Sequence, residues 1–143
     1  MSENKGQMTE INENAKYIGK KAESSTVVSA DNTAVAVGSG SLEVFATPMM
    51  IALMENAAAK CLESILAEGQ TSVGTMINAA HTAASPVGMK ITAKAEITAF
   101  EGRKVDFEVA AFDEAGEIGK GSHSRFIVDS AKFMGKVLQK GNK

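Results

Sequence analysis

One stretch constrains this chain more than any other, the run from Phe45 to Gly69. Met50, Ile51, Met54, Ala57, Ala58, Cys61, Leu62 and Ile65 recur there at three- and four-residue spacing. That spacing makes one broad apolar stripe, the mark of a helix with a buried face. Thr47 is placed to cap its first turn. Pro48 suits the first helical position, where a missing N–H costs nothing. Gly69 suits the left-handed residue that ends a helix. Nothing else in the chain resembles a second central helix, so the remaining residues must build what this one packs against.

Glu55 belongs cleanly to neither side of this helix. At about 100° per residue it falls at the margin of the apolar stripe. Its neighbours one turn away are Ile51, Ala52, Ala58 and Ala59, with no cation among them. Two roles are open. Glu55 either points past the edge into water, or stands in a small-walled pocket that tunes a carboxylate for acid–base work.

The 143 residues suit a single domain, with residues 1–16 polar and aperiodic, expected as a disordered N-terminus, and 17–143 as the folded body. A net charge of −2 without a basic patch argues against nucleic acid as a partner. No apolar run approaches the roughly 20 residues of a membrane span. The single cysteine, Cys61, lies on the helix stripe and reads as a small core residue. One cysteine and no signal-like start point to the cytoplasm. One cysteine and two distant histidines give no metal-ligand spacing, so no metal is expected. Tryptophan is absent, so aliphatic residues and alanines must fill the core.

Around the helix the pattern is β. Ser25–Val28 and Thr33–Val37 read as a first strand or hairpin, with Asp31-Asn32 turning between them. Gly38-Ser39-Gly40-Ser41 is a flexible loop. After Gly69 the residues alternate. In Thr71–Ala84, Val73, Thr75, Ile77, Ala79, His81 and Ala83 share a phase. Met89–Phe100 alternates most clearly, with Ile91, Ala93, Ala95, Ile97 and Ala99 on its buried side. Val105–Ala111 and Glu117–Asp129 follow, the last with His123, Arg125 and Ile127 opposite Phe126 and Val128. Ser130–Lys140 is amphipathic, either a short helix or a terminal strand. Four strands joined by short turns, Ser85-Pro86-Val87-Gly88 among them, predict a mainly antiparallel sheet curled around one helix, an α+β fold.

His81 shares its phase with Ile77 and Ala79 and so faces an enclosed side. A lone strand histidine serves either as a structural hydrogen-bonding group or as a site residue. His123, beside Arg125, fits a solvated face equally well.

Several pieces, in order, resemble a known family: Val44-Phe45-Ala46-Thr47, Leu53-Met54-Glu55, Val73-Gly74-Thr75, His81-Thr82-Ala83-Ala84-Ser85-Pro86, Glu101-Gly102-Arg103 and Glu117-Ile118-Gly119-Lys120-Gly121-Ser122-His123. From Val44 to Leu138 the chain resembles hot-dog-fold acyl-CoA thioesterases of the fluoroacetyl-CoA thioesterase type. The resemblance implies a hot-dog fold and a catalytic set matching Thr47, Glu55 and His81. It also implies a glycine at the acyl end, matching Gly74, and an arginine matching Arg125. With Lys120, that arginine could meet CoA phosphates or stay a surface charge. Glu55 would serve as base toward water or as nucleophile, and His81 would move protons near neutral pH. Thr47 would polarise the carbonyl, orient Glu55 or merely cap the helix. No cofactor is implied, the coenzyme A thioester being the substrate.

One departure stands out. The fluoroacetyl-specialised branch carries phenylalanines before the helix, where this chain has Gly38-Ser39-Gly40-Ser41. General short-chain acyl-CoA hydrolysis is therefore expected ahead of fluoroacetyl preference. The alternatives are a non-hydrolytic module that binds acyl-CoA or a similar metabolite, and a hydratase or dehydratase on the same fold. Related hot-dog domains pair edge to edge with sites at the interface, so a homodimer is expected; uncovered strand edges would favour it.

Overall fold

The computed structural model describes residues 13–142. Residues 1–12 of the expected disordered segment lie outside the described residues. Residues 13–16 lead onto the sheet, where the Asn14 amide donates to the Gly102 carbonyl at 3.3 Å.

Five strands make one sheet: β1 (Lys21–Val27), β2 (Gln70–His81), β3 (Lys90–Glu101), β4 (Lys104–Asp113) and β5 (Gly116–Asp129). Their order is β1-β3-β4-β5-β2, and every pairing is antiparallel. β3, β4 and β5 form the meander that their short turns dictate. Gly102, at φ +60°, takes the left-handed position in the first of these turns.

β2 departs from the expected run of neighbours. It pairs with β5 on the far side of the sheet, not with β3. Ser85-Pro86-Val87-Gly88 is thus a crossover and not a hairpin turn. The Phe45 N–H donates to the Ser85 carbonyl at 2.9 Å, and the Gly88 N–H to Val28 at 2.8 Å. Ser85 is fully buried and its hydroxyl donates to Asp113 at 2.7 Å. These bonds stretch the segment over the start of the central helix. The sheet is left with β1 and β2 as its edges.

The expected strand Thr33–Val37 is instead a helical turn, α1 (Ala34–Val37). The Thr33 hydroxyl accepts from the Ala36 N–H at 3.3 Å, and Gly38 closes the turn at φ +76°. Capping at both ends outweighs the weak β preference of Val35 and Val37.

The central helix, α2 (Thr47–Leu62), buries Met50, Met54, Ala57, Ala58, Cys61 and Leu62. They meet Ile91, Ala93, Ala95 and Ile97 of β3 and Val105, Phe107, Val109 and Ala111 of β4 in one core. Alanines on both sides let helix and sheet approach closely. The helix stops at Leu62, one residue past Cys61, and not at Gly69. Ile65 and Leu66 still pack on the core, but through a turn closed by bonds to Leu62. Gly69, at φ +83°, then swings the chain into β2. Ser130–Gly141 is a helix, α3, whose Phe133, Met134, Val137 and Leu138 stay exposed.

Candidate active site

β2 carries a bulge between Gly74 and Met76. The extra residue, Thr75, switches which face the side chains take. Before it, Ser72 and Gly74 stand opposite Ile127 and Arg125, which are buried. After it, Ile77, Ala79 and His81 take the helix side, as their phase predicts. Val73 does not share that face, since it pairs with Phe126, which is 42% exposed.

His81 ends β2 directly beside the start of α2. The Thr47 hydroxyl and His81 Nδ1 lie 2.8 Å apart. This contact redefines Thr47. The capping position is Ala46, no side chain caps the helix, and Thr47 is the first helical residue. Its hydroxyl is committed to His81 and not to the helix amides. His81 Nε2 is buried without a hydrogen-bond partner, a state that costs free energy in a folded protein. Burial holds the imidazole pKa below its ordinary value. The Ala83 backbone pushes the other way, although it makes no hydrogen bond to Nε2. Thr47 and His81 line a pocket of about 260 Å³ with Ala34, Ser39, Val44 and Phe45.

Glu55 stands elsewhere on the same helix. Eight residues at about 1.5 Å each put it ~12 Å from Thr47 along the axis. Among the described residues, the hydrogen bond joining members of the expected set is Thr47–His81; Glu55 stands apart. It is half-buried and faces Gly74. A Cβ built on Gly74 would lie 3.3 Å from Glu55 Oε1, 3.2 Å from His123 Cε1 and 3.5 Å from Arg125 Nη1. Gly74 is the gap that lets the carboxylate approach β5.

Arg125 is no surface charge. It is 8% exposed, and its Nε and Nη2 donate to the hydroxyl and carbonyl of Ser72 at 2.8 and 2.9 Å. Lys120 projects exposed from the opposite face of β5, so the two cations do not converge. His123 is buried, not solvated. Its Nδ1 lies 2.7 Å from the Met76 carbonyl and its Nε2 3.3 Å from Arg125 Nη1. Burial lowers its pKa first of all, and the Arg125 charge adds to that. Met76 and Glu55 act in the other direction.

Sequence alternation had put His123 and Arg125 on one face. It could not say that this face meets Glu55, which takes the β5–β2 pairing and the bulge together. Ser72 escaped notice altogether, since a serine in an alternating strand carries no signal of its own.

Cys61 is buried and its thiol donates to the Lys20 carbonyl at 3.3 Å, in keeping with a core role. Among the described residues, no three His, Cys, Asp or Glu side chains gather to hold a metal ion. No described helix is long and apolar enough to cross a membrane.

The comparisons with known proteins agree with this architecture. The family model described as fluoroacetyl-CoA-specific thioesterase matches residues 28–131. A fluoroacetyl-CoA thioesterase of Streptantibioticus cattleyicolor is 44% identical over 98 residues, covering 68% of this chain and 70% of that protein. A solved structure of the fluoroacetyl-CoA thioesterase superposes with a TM-score of 0.82 at 36% identity, covering 86% of this chain and 96% of the other. A thioesterase superfamily member from Thermus thermophilus superposes with a TM-score of 0.81 at 29% identity, over 87% and 93% of the two chains. With the family match spanning the helix, the bulged strand and the whole meander, the chain belongs to the fluoroacetyl-CoA-specific thioesterase family, as a thioester hydrolase of the hot-dog fold.

Proposed function

We propose that this acyl-CoA thioesterase hydrolyses short-chain acyl-CoA thioesters with Thr47, Glu55 and His81 as its catalytic set. The observation that carries this is the 2.8 Å contact between Thr47 and His81, beside a pocket and with Nε2 left unpartnered. Thioester hydrolysis needs a base for water, a donor for the developing oxyanion and a proton for the leaving thiolate. Glu55 takes the proton from water, whose oxygen attacks the thioester carbon. The C–S bond then breaks, and His81 relays to the thiolate a proton taken from the new carboxylic acid, which leaves as the carboxylate. Thr47 and the first amides of α2 stand where negative charge on the carbonyl oxygen would be stabilised. Gly74 and Arg125 bound the acyl end, Gly74 by leaving space and Arg125 by holding a fixed positive charge near Glu55.

The substrate is the coenzyme A thioester itself, and no cofactor is needed. A solved relative is described in complex with fluoroacetate and CoA. Here the segment Gly38–Ser41 offers no aromatic wall, which favours a broader range of small acyl groups. A second copy pairing along β2 would complete the site from both chains. We place the enzyme in the cytoplasm.

The test is release of free thiol from a panel of acyl-CoAs in a chromogenic assay. Turnover of short acyl groups is expected, and none across the panel would sink the proposal. Saturable binding without turnover would instead identify an acyl-CoA binding module. Loss of conjugated absorbance from an enoyl-CoA, without thiol release, would identify a hydratase.

A further inference from the structure

His123 is titratable, 1% exposed and unused by the chemistry above. Both of its ring nitrogens are nonetheless engaged. A carbonyl oxygen can only accept, so the 2.7 Å contact fixes the proton on Nδ1, donating to Met76. Nε2 is then a lone-pair acceptor, and Arg125 Nη1 can only donate to it, at 3.3 Å. The ring is therefore a one-way connector in its neutral form. One end holds the backbone just past the β2 bulge, and the other holds the guanidinium facing Glu55. Phe107 of β4 stacks on the ring with centroids 6.0 Å apart and planes at 28°, fixing its plane.

Arg125 is held by three hydrogen bonds to two residues. Ser72 takes two of its donors from β2, and His123 takes a third from β5 itself. Ser72 and Met76 flank Gly74 on the same strand. The two tethers thus clamp the bulge on either side of the glycine that Glu55 approaches. Loss of the His123 tether would free Nη1 and remove the imidazole donor from the Met76 carbonyl, while the Ser72 contacts remained.

We propose that His123 is a positioning residue for thioester hydrolysis: its neutral ring ties the β2 bulge to Arg125 and so fixes both the wall and the positive charge that Glu55 faces. It rests on Glu55 acting in catalysis. The charged groups that face the ring are Arg125 on β5 and Glu55 on α2. No charged group of β4 or β2 joins them there.

Three substitutions separate the ring's contacts. His123→Phe keeps bulk and stacking but removes both hydrogen bonds. His123→Asn places an amide donor near the Nδ1 position and can restore the Met76 bond alone. His123→Gln reaches further and can restore an acceptor for Arg125 alone. Each is assayed for thiol release from acetyl-CoA with kcat and KM resolved separately, and folding is checked by circular dichroism and thermal denaturation. His123→Phe should lower kcat about tenfold or more with a smaller change in KM, since it disturbs geometry around the reacting group. His123→Gln should recover part of kcat, because it restores an acceptor for Arg125, and His123→Asn should not. A merely structural role would lower thermal stability and leave kcat near the parent's wherever the protein is folded. A folded His123→Phe enzyme with parental kcat would overturn the proposal. If His123→Phe fails to fold, the Gln and Asn pair decides, and equal kcat in the two would overturn it equally. Glu55→Gln assayed beside them keeps the outcomes distinct. An active Glu55→Gln enzyme removes the parent mechanism, whereas an inactive one beside a parental His123→Phe removes this proposal alone.

Discussion

Gly74 and Glu55 meet so closely that a side chain on Gly74 fits only if a neighbour gives way: its Cβ would sit 3.3 Å from Glu55 Oε1. The same Cβ would lie 3.2 Å from His123 Cε1, and His123 cannot retreat because both its nitrogens are tethered. Glu55, half-buried and without a hydrogen bond among the described residues, has to give way. Gly74→Ala should therefore fold normally and displace the carboxylate by a few tenths of an ångström. Turnover should drop about tenfold, in line with the steep dependence of catalysis on placement. Thermal denaturation and thiol-release kinetics on the same preparation check both halves. Unchanged kcat would show that the carboxylate's position against β2 is irrelevant.

Glu55→Gln keeps shape and removes the charge. If the carboxylate is base or nucleophile, turnover should fall about 10²-fold or more. Folding should stay intact or improve slightly, since a poorly solvated charge is gone. His81→Ala should also lose activity, and the double variant should lose less than the product of the two, as residues acting together do. Near-parental hydrolysis by Glu55→Gln would remove it from the mechanism.

The two histidines set a direction for stability against pH. Burial holds both pKa values below the ordinary one, so the folded chain resists a proton that the unfolded chain accepts. Stability from these groups is fully present above the unfolded histidine value of about 6.5 and is lost as pH falls through that value toward the folded ones. Denaturant midpoints measured at pH 8 and pH 5.5 should fall toward acid. Replacing either histidine by glutamine should flatten the slope over that window. A slope unaltered in both variants would place the acid sensitivity elsewhere.

Ser39 lines the Thr47–His81 pocket in the segment where the specialised relatives were expected to carry phenylalanines. Ser39→Phe should fill part of that space. Longer acyl chains should then lose kcat/KM relative to acetyl by about 10-fold or more, the scale of a methylene rejected from a pocket. Equal losses for all chain lengths would show that this pocket does not hold the acyl group.

The body of the helix, the four later strands and the inward phase of His81 were legible because each rests on local periodicity. The pairing of β2 with β5 was not. Ser85-Pro86-Val87-Gly88 has the composition of a tight turn, and only the Val44, Val28 and Asp113 contacts make it a crossover. For the same reason a surface charge stayed open as a reading of Arg125: its burial depends on Ser72 from a strand over 50 residues away. Thr47 misled in a different way. Its identity and position suit a helix cap, but a histidine on another strand outbids the helix amides for the hydroxyl.

Assembly is the last expectation. β2 is an edge strand of 12 residues, paired with β5 on one side and with no strand of the described residues on the other. Such an edge exposes a row of unpaired backbone groups and invites a second copy. Twofold pairing along β2 would run two sheets into one and bring each copy's Gly74 bulge toward the other. It would also explain why Glu55 stands ~12 Å along the helix from Thr47 in a single chain, if the second copy supplies part of each site. Light scattering at micromolar concentration should give twice the 14.9 kDa chain mass. Activity per chain should then fall on dilution as the dimer dissociates, because a folded dimer and its sites share one concentration dependence. Monomer mass with constant activity per chain would contradict both the pairing and the shared site, and would leave each chain to complete its catalysis alone.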